Sequence, residues 1–286
     1  MSSVRISARD MLYEEPGPKA KRRIRIVTGI SLAALAALAA AVIHRFYITG
    51  QLDPRYWSFF ARGTTWTFLG KGLLGTMEAA LMAGVLAFAA GFFLMLGRIS
   101  SVRLLRGICI ALIEFTRGVP TLLFIYFFFL VIPQFGIQMD AFWKISIPVA
   151  ISACGVVAEV LRSGVNAVPK GQTEAALSLG MRGRSVFLKV VFPQAIRFVI
   201  PALIAELVIV VKDTTFAYVV SCADLMQNAK VLISNYDAML SIYLVVAVIY
   251  ILINYLLNTL SERIAGSQRR NVQQKPETNK GVAAHG

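Results

Sequence analysis

The sequence has little with which to do covalent or metal chemistry. Its 286 residues include three cysteines and two histidines. Cys109, Cys154 and Cys222 stand far apart and match no metal or redox spacing, and His44 and His285 cannot build a His-rich site. No metal and no cofactor is expected in this chain. The single Gly-Lys pair, Gly70-Lys71, is followed by Gly72, so the chain lacks a G-x-x-x-x-G-K-[ST] phosphate loop. An intramembrane enzyme would want a His-paired nucleophile or metal ligands within its spans, and the chain offers only His44 at a span edge. Charge is sparse as well, at 15% of residues, against about 25% in ordinary soluble domains.

Apolar residues are what the chain does have, at 57%. Spanning a bilayer takes about 20 of them in a row. Six runs qualify: Val27–Ile48, Gly72–Leu96, Leu104–Ile132, Ile145–Leu161, Ile196–Val211 and Ala238–Leu260. The expected fold is all-α, a polytopic bundle of transmembrane helices within residues 27–260, with a basic tail at 1–26 and a polar tail at 261–286. The first run resembles a signal peptide in its alanines, but its polar leader is long for one and five spans follow, so it reads as a retained helix. Within the third run, "EFTRGVP" (Glu114–Pro120) predicts a helix lying at the surface, a bend at Gly118–Pro120, and the span proper from Thr121.

The net charge of +14 follows the same layout. Of the 29 Lys and Arg residues, 22 lie in the two tails and the segments 98–118 and 162–197, which alternate with the other loops. By the positive-inside rule both termini are expected in the cytoplasm. Tyr47, Tyr56, Trp57, Trp66 and Trp143 fall at the opposite boundary, as an aromatic belt would. The basic excess belongs to membrane orientation, and no nucleic-acid partner is expected.

Ionisable residues inside spans are costly and are candidates for function. Glu159 and Arg162, at i and i+3 in the fourth span, either neutralise each other or line a pathway. Arg117 precedes the third span, and Glu206 lies in the fifth. "VKDTT" breaks the far half of the fifth run with Lys212, Asp213, Thr214 and Thr215. Neighbouring helix residues point about 100° apart, so Lys212 and Asp213 cannot simply pair. A polar break at membrane depth predicts a protein-lined or watery cavity, where transporters bind substrate. Asn254 and Asn258 read as contacts between helices.

One polar segment remains, "KGQTEAALSLGMRGRSVFLKVVFPQAIRFVIP" (Lys170–Pro201), set between the fourth and fifth spans. Ala175, Ala176 and Leu179 share a helical face by spacing, with Thr173 as an N-cap and Gly180 as a stop. A second basic piece follows and Pro193 ends it before the next span. A helix of about seven residues is too short to stand alone and needs a surface to pack on. Periodicity alone leaves two surfaces open, lipid headgroups or a partner protein.

"EAALSLGMRGRSVFLKVVFP" resembles the EAA motif of ABC importer permeases, through Glu174-Ala175-Ala176, Gly180, Val190, Phe192 and Pro193, with Val190 and Phe192 where the family pattern has Ile and Leu. "EFTRGVPTLLFIYFFFLVIP", "VVAEVLRSGVNAVPKGQTEAA" and "VKDTTFAYVVSCADLM" are similar to segments of the permeases for polar amino acids, over roughly residues 64–265. The tail "LYEEPGPKAKRR" and the long first loop resemble the glutamate permeases of actinobacteria. The resemblance implies a type I importer fold in a bacterial inner membrane, and a transport subunit rather than an enzyme. Residues 170–193 would then hold a coupling helix for a cytoplasmic ATP-binding subunit dimer that uses ATP and Mg. Glu174 would orient that helix, Ala175, Ala176 and Leu179 would make the contact, and Gly180 and Pro193 would frame it. Arg117, Glu159, Arg162, Lys212, Asp213, Thr214 and Thr215 would line the substrate pathway. The implied partners are a second permease, different in sequence rather than identical, and an extracytoplasmic amino-acid-binding protein. An ion-gradient-driven carrier would use the same intramembrane charges without the EAA element.

Overall fold

A computed structural model describes residues 17–273, in two units that divide after Ser58. The regular structure of the described residues is helical throughout.

In the first unit, α1 runs Pro18–Ile48, with Pro18 in the first turn and no buried residue. It starts nine residues before the apolar run, inside the basic stretch assigned to the tail. Proline pre-sets the helical φ at the first position, and lysines and arginines are good helix formers. At about 1.5 Å per residue, 31 residues exceed the roughly 30 Å of a hydrocarbon core. The basic turns therefore have length to spare for the headgroups.

The second unit holds the bundle. Its elements are α2 (Gly63–Arg98), α3 (Arg103–Gly118), the six-residue α4 (Thr121–Tyr126), α5 (Ala141–Ala167) and α8 (Phe192–Asp213). Two short helices, α6 (Lys170–Ser178) and α7 (Gly183–Val186), separate α5 from α8. After them come α9 (Leu225–Tyr236) and α10 (Met239–Gln273). The most extensive packing is between α2 and α5, then between α5 and α8. The buried side of α2 is made of small residues at helical spacing: Gly72, Thr76, Ala79, Ala80, Ala83, Ala87 and Gly91. Small residues let helix backbones approach where lipid offers no competing hydrophobic drive. At Gly91 a Cβ would sit 2.8 Å from the Cys154 carbonyl oxygen of α5, so glycine is required there.

Five helical segments have the length and apolarity to cross a membrane: α1, α2, α5, the continuous stretch Gly183–Val220, and α10. The sixth candidate is α3 with α4, bent by 96° between them. This is the bend expected at Gly118–Pro120. Val119 is extended, as a residue before proline must be (φ −92°, ψ 126°). From Thr121, α4 passes into a π turn over Phe127–Val131 and a 3-10 turn over Ile132–Phe135.

Pro193 does not end the second basic piece. From Gly183 the chain runs through a π turn at Phe187–Val191 directly into α8, and the fifth span is longer at both ends than Ile196–Val211. A proline inside a helix lacks an N–H and its ring collides with the carbonyl four residues back. The wider π turn absorbs that misfit without a break. The turn before Pro133 has the same design. At the other end α10 continues to Gln273, past the boundary expected at 260. The remaining residues of both tails, 1–16 and 274–286, lie outside the described residues, along with the first part of the glutamate-permease-like leader.

Candidate functional site

At one end of the bundle, α5 hands over to α6 through Val168 and Pro169. Pro169, not Thr173, occupies the N-cap, and Thr173 lies inside a nine-residue helix. Gly180 does stop it, at φ +77°. The Gly180 N–H donates to the Leu177 carbonyl (2.9 Å) and the Met181 N–H to the Ala176 carbonyl (3.2 Å). That pair of bonds is a Schellman motif, which satisfies two carbonyls the helix end would leave unpaired.

The face expected from spacing is divided. Ala176 is buried within the chain, in a cluster with Val168, Val186, Val191 and Ala195. Glu174 and Ala175 are exposed, and Leu179 is 83% exposed. Leu177, which spacing did not single out, is 50% exposed. So Ala176 fastens α6 to its own chain, while Leu177 and Leu179 stand free on the outside. Pro193 sits beyond the π turn, at the second position of α8.

Beside this end lies an ionic network. Glu159 of α5 accepts from Arg162 at 3.0 and 3.2 Å and pairs, through its other oxygen, with Arg98 of α2. Arg98 also lies 4.0 Å from Glu114 of α3, which pairs with Arg117 at 3.5 Å. Glu159 and Arg162 therefore do neutralise each other, but Arg98 turns the pair into a tie among three helices. Nothing in the sequence pointed to Arg98, which stands at the end of its helix, 61 residues from Glu159.

Deeper in the bundle, the "VKDTT" segment does not break the helix. α8 continues to Asp213 and tightens into a 3-10 helix over Thr214–Val220. The Thr214 hydroxyl donates to the Val211 carbonyl and that of Thr215 to Lys212, at 2.8 and 2.6 Å. Both hydroxyls are thus spent as donors on their own turn and keep only acceptor capacity. Lys212 is exposed, and Asp213 turns the other way. Its carboxylate accepts from the Thr121 hydroxyl at 2.8 Å, and Thr121 is 2.8 Å from the Ser152 hydroxyl. Three helices, α4, α5 and α8, thereby place polar oxygens at one point. Glu206, two turns before Asp213 on the same side of α8, is 8% exposed. Thr121 and Ser152 carry no sequence signal, being hydroxyls 92 and 61 positions from Asp213.

A family model described as the binding-protein-dependent transport system inner membrane component matches residues 86–270. The chain belongs to this family. The glutamate transport system permease protein GluD of Corynebacterium glutamicum is 36% identical over 79% of this chain and 86% of its own length. The L-cystine transport system permease protein TcyB of Bacillus subtilis is 30% identical over 70% of this chain and 86% of its own. A crystal structure of an amino acid ABC transporter with histidines aligns at a TM-score of 0.67 and 29% identity. That alignment covers 74% of this chain and 98% of the solved one. The protein is an amino-acid ABC transporter permease, a multi-pass membrane protein with the type I importer fold. The bent α3–α4 pair, the α6 turn and the Asp213 cluster all lie within the span of that permease fold or at its edge.

Proposed function

We propose that this permease supplies half of the pathway of an ATP-driven importer for a polar amino acid, glutamate first among the candidates. ATP is hydrolysed by a separate subunit seated on α6. The observation that carries the reading is the division of α6. Ala176 and the Schellman turn hold the helix rigidly to the bundle, while two leucines face away from it. Leucine at 83% exposure on a nine-residue helix is explained by a partner that covers it. Because α6 lies between π-turned α8 and the end of α5, movement of a partner would be passed to both helices.

The Asp213–Thr121–Ser152 cluster is the reading's substrate contact. A carboxylate with two hydroxyls suits the α-ammonium common to amino acids and says nothing of the side chain. Glutamate rests on the 36% identical relative; the 30% identical one carries a different amino acid in its name. Arg117 and Lys212, both exposed, are the cations available to substrate carboxylates. Glu159 and Arg162 act as part of the ionic tie rather than as ligands. The end carrying α6 faces the cytoplasm, where it meets ATPase subunits using ATP and Mg. A binding protein delivers substrate to the opposite end, and a second, different permease completes the pathway. The test is uptake of labelled glutamate by the reconstituted complex, with unlabelled competitors in excess. Inhibition by aspartate and glutamate but not by glutamine or cystine supports an acidic substrate, and the reverse order removes glutamate.

A further inference from the structure

Among the described residues, a buried carboxylate oxygen without a hydrogen-bond partner lies where α9 begins. Asp224 caps α9 and is 1% exposed. Its Oδ1 accepts the Gln227 N–H at 2.7 Å. Its Oδ2 is buried without a hydrogen-bond partner, and so is Gln227 Oε1. The backbone around them is firmly placed. The Leu225 N–H donates to the Thr76 hydroxyl of α2 at 3.1 Å, and the Asn228 amide to the Phe68 carbonyl at 2.7 Å. Residues Gly72 and Gly75 of α2 lie so close under Ala223 and Asp224 that a Cβ at either would meet their backbone. These contacts seat the start of α9 closely on α2.

A buried carboxylate oxygen with no donor to meet it is costly in the charged form. We propose that Asp224 is a proton-binding site. With the α2–α9–α10 junction closed, Oδ2 carries a proton. When the junction opens and water enters, the proton leaves to water and the carboxylate charges. One proton removes the buried charge and turns the stranded acceptor into a donor. A sodium ion would need more oxygen ligands than the cluster has free.

The surroundings agree. The titratable groups on which Asp224 acts are Cys222 in the preceding turn and Tyr250 on α10, while α2 presents Gly72, Gly75 and Thr76. Among the described residues no lysine, arginine or histidine forms an ion pair with it. Burial pushes its carboxyl up to about 6, against the backbone N–H groups of Gln227, Met226 and Asp224 itself, which favour the charged form. A raised carboxyl stabilises the closed junction fully below its ordinary range. That contribution falls as pH climbs from about 4 toward 6, then stays lost.

The test is the infrared difference spectrum between pH 5 and pH 7.5 of the intact detergent-solubilised complex, wild type and Asp224→Asn. Asparagine keeps the capping oxygen and puts an N–H where the proton would be. The expected result is a protonated-carboxyl band in the wild type, lost at the higher pH and missing from the folded variant. Identical difference spectra overturn the proposal. Should the variant fail to fold, dicyclohexylcarbodiimide labelling of the wild type decides, since it modifies protonated carboxyls in apolar surroundings. Several-fold more label on the Asp224 peptide at pH 5.5 than at pH 8 supports the site. Equal labelling, or none at either pH, overturns it.

Discussion

Ala176 of α6 and Leu179, the residue at its C-cap, are three residues apart and have opposite relations to the rest of the chain. Leu179→Asp removes an apolar contact available only to a partner. The expected outcome is at least about a tenfold loss of ATPase association, or about 1.4 kcal/mol, with thermal stability of the permease unchanged. Co-purification with a tagged ATPase and a melting curve check it. A substitution at Ala176 instead attacks the chain's own packing, because Val186, Val191 and Ala195 close over it. Spacing placed both on one face because periodicity records angle around a helix and nothing of what lies beyond it. For Glu159 the sequence offered a neighbour, Arg162, and the structure adds Arg98. Glu159→Leu leaves two facing arginines, with an expected loss of about 2 kcal/mol, read as a lower melting temperature of the purified permease. Thr121→Val strips the Asp213 carboxylate of its hydroxyl donor. Uptake should fall severalfold while ATPase association stays intact, which separates the substrate cluster from the coupling helix.

At the scale of elements, apolar run length carries most of the information: five of the six runs fall in helices long and apolar enough to cross a membrane, and Leu104–Ile132 falls on the bent α3–α4 pair. The bend between α3 and α4 was legible because Pro120 restricts Val119. The π turns were not legible. Proline reads as an end in a sequence, and whether the helix widens around it depends on what packs alongside. Here the aromatic residues Phe187 and Phe192, with ring centroids 5.8 Å apart, flank the turn. The Asp213 cluster was half legible, since a charge inside a span announces itself and a hydroxyl does not. Gly180 supports a prediction of its own. Gly180→Val places a β-branched residue at φ +77°, a left-handed conformation that costs roughly 1–2 kcal/mol for residues with a Cβ. The Schellman turn should loosen, with faster proteolysis at residues 179–183 and weaker stimulation of ATP hydrolysis by substrate.

For the whole molecule, the proposed function makes α6 a rigid handle that a membrane bundle presents to a separate ATPase. α6 is fixed by Ala176 and the turn at Gly180, the Arg98–Glu159–Arg162 network binds α2 to α5 beside it, and the Asp213 cluster joins α4, α5 and α8 farther in. The central claim is that the handle is held by a separate ATPase. The measurement that tests it most directly is gentle solubilisation of the tagged chain from its native membrane, with mass-spectrometric identification of what co-purifies. The account predicts a nucleotide-binding ATPase together with a second permease, the ATPase being lost with Leu179→Asp. Recovery of the chain alone, still moving amino acid in ATP-free vesicles under an ion gradient, would contradict it.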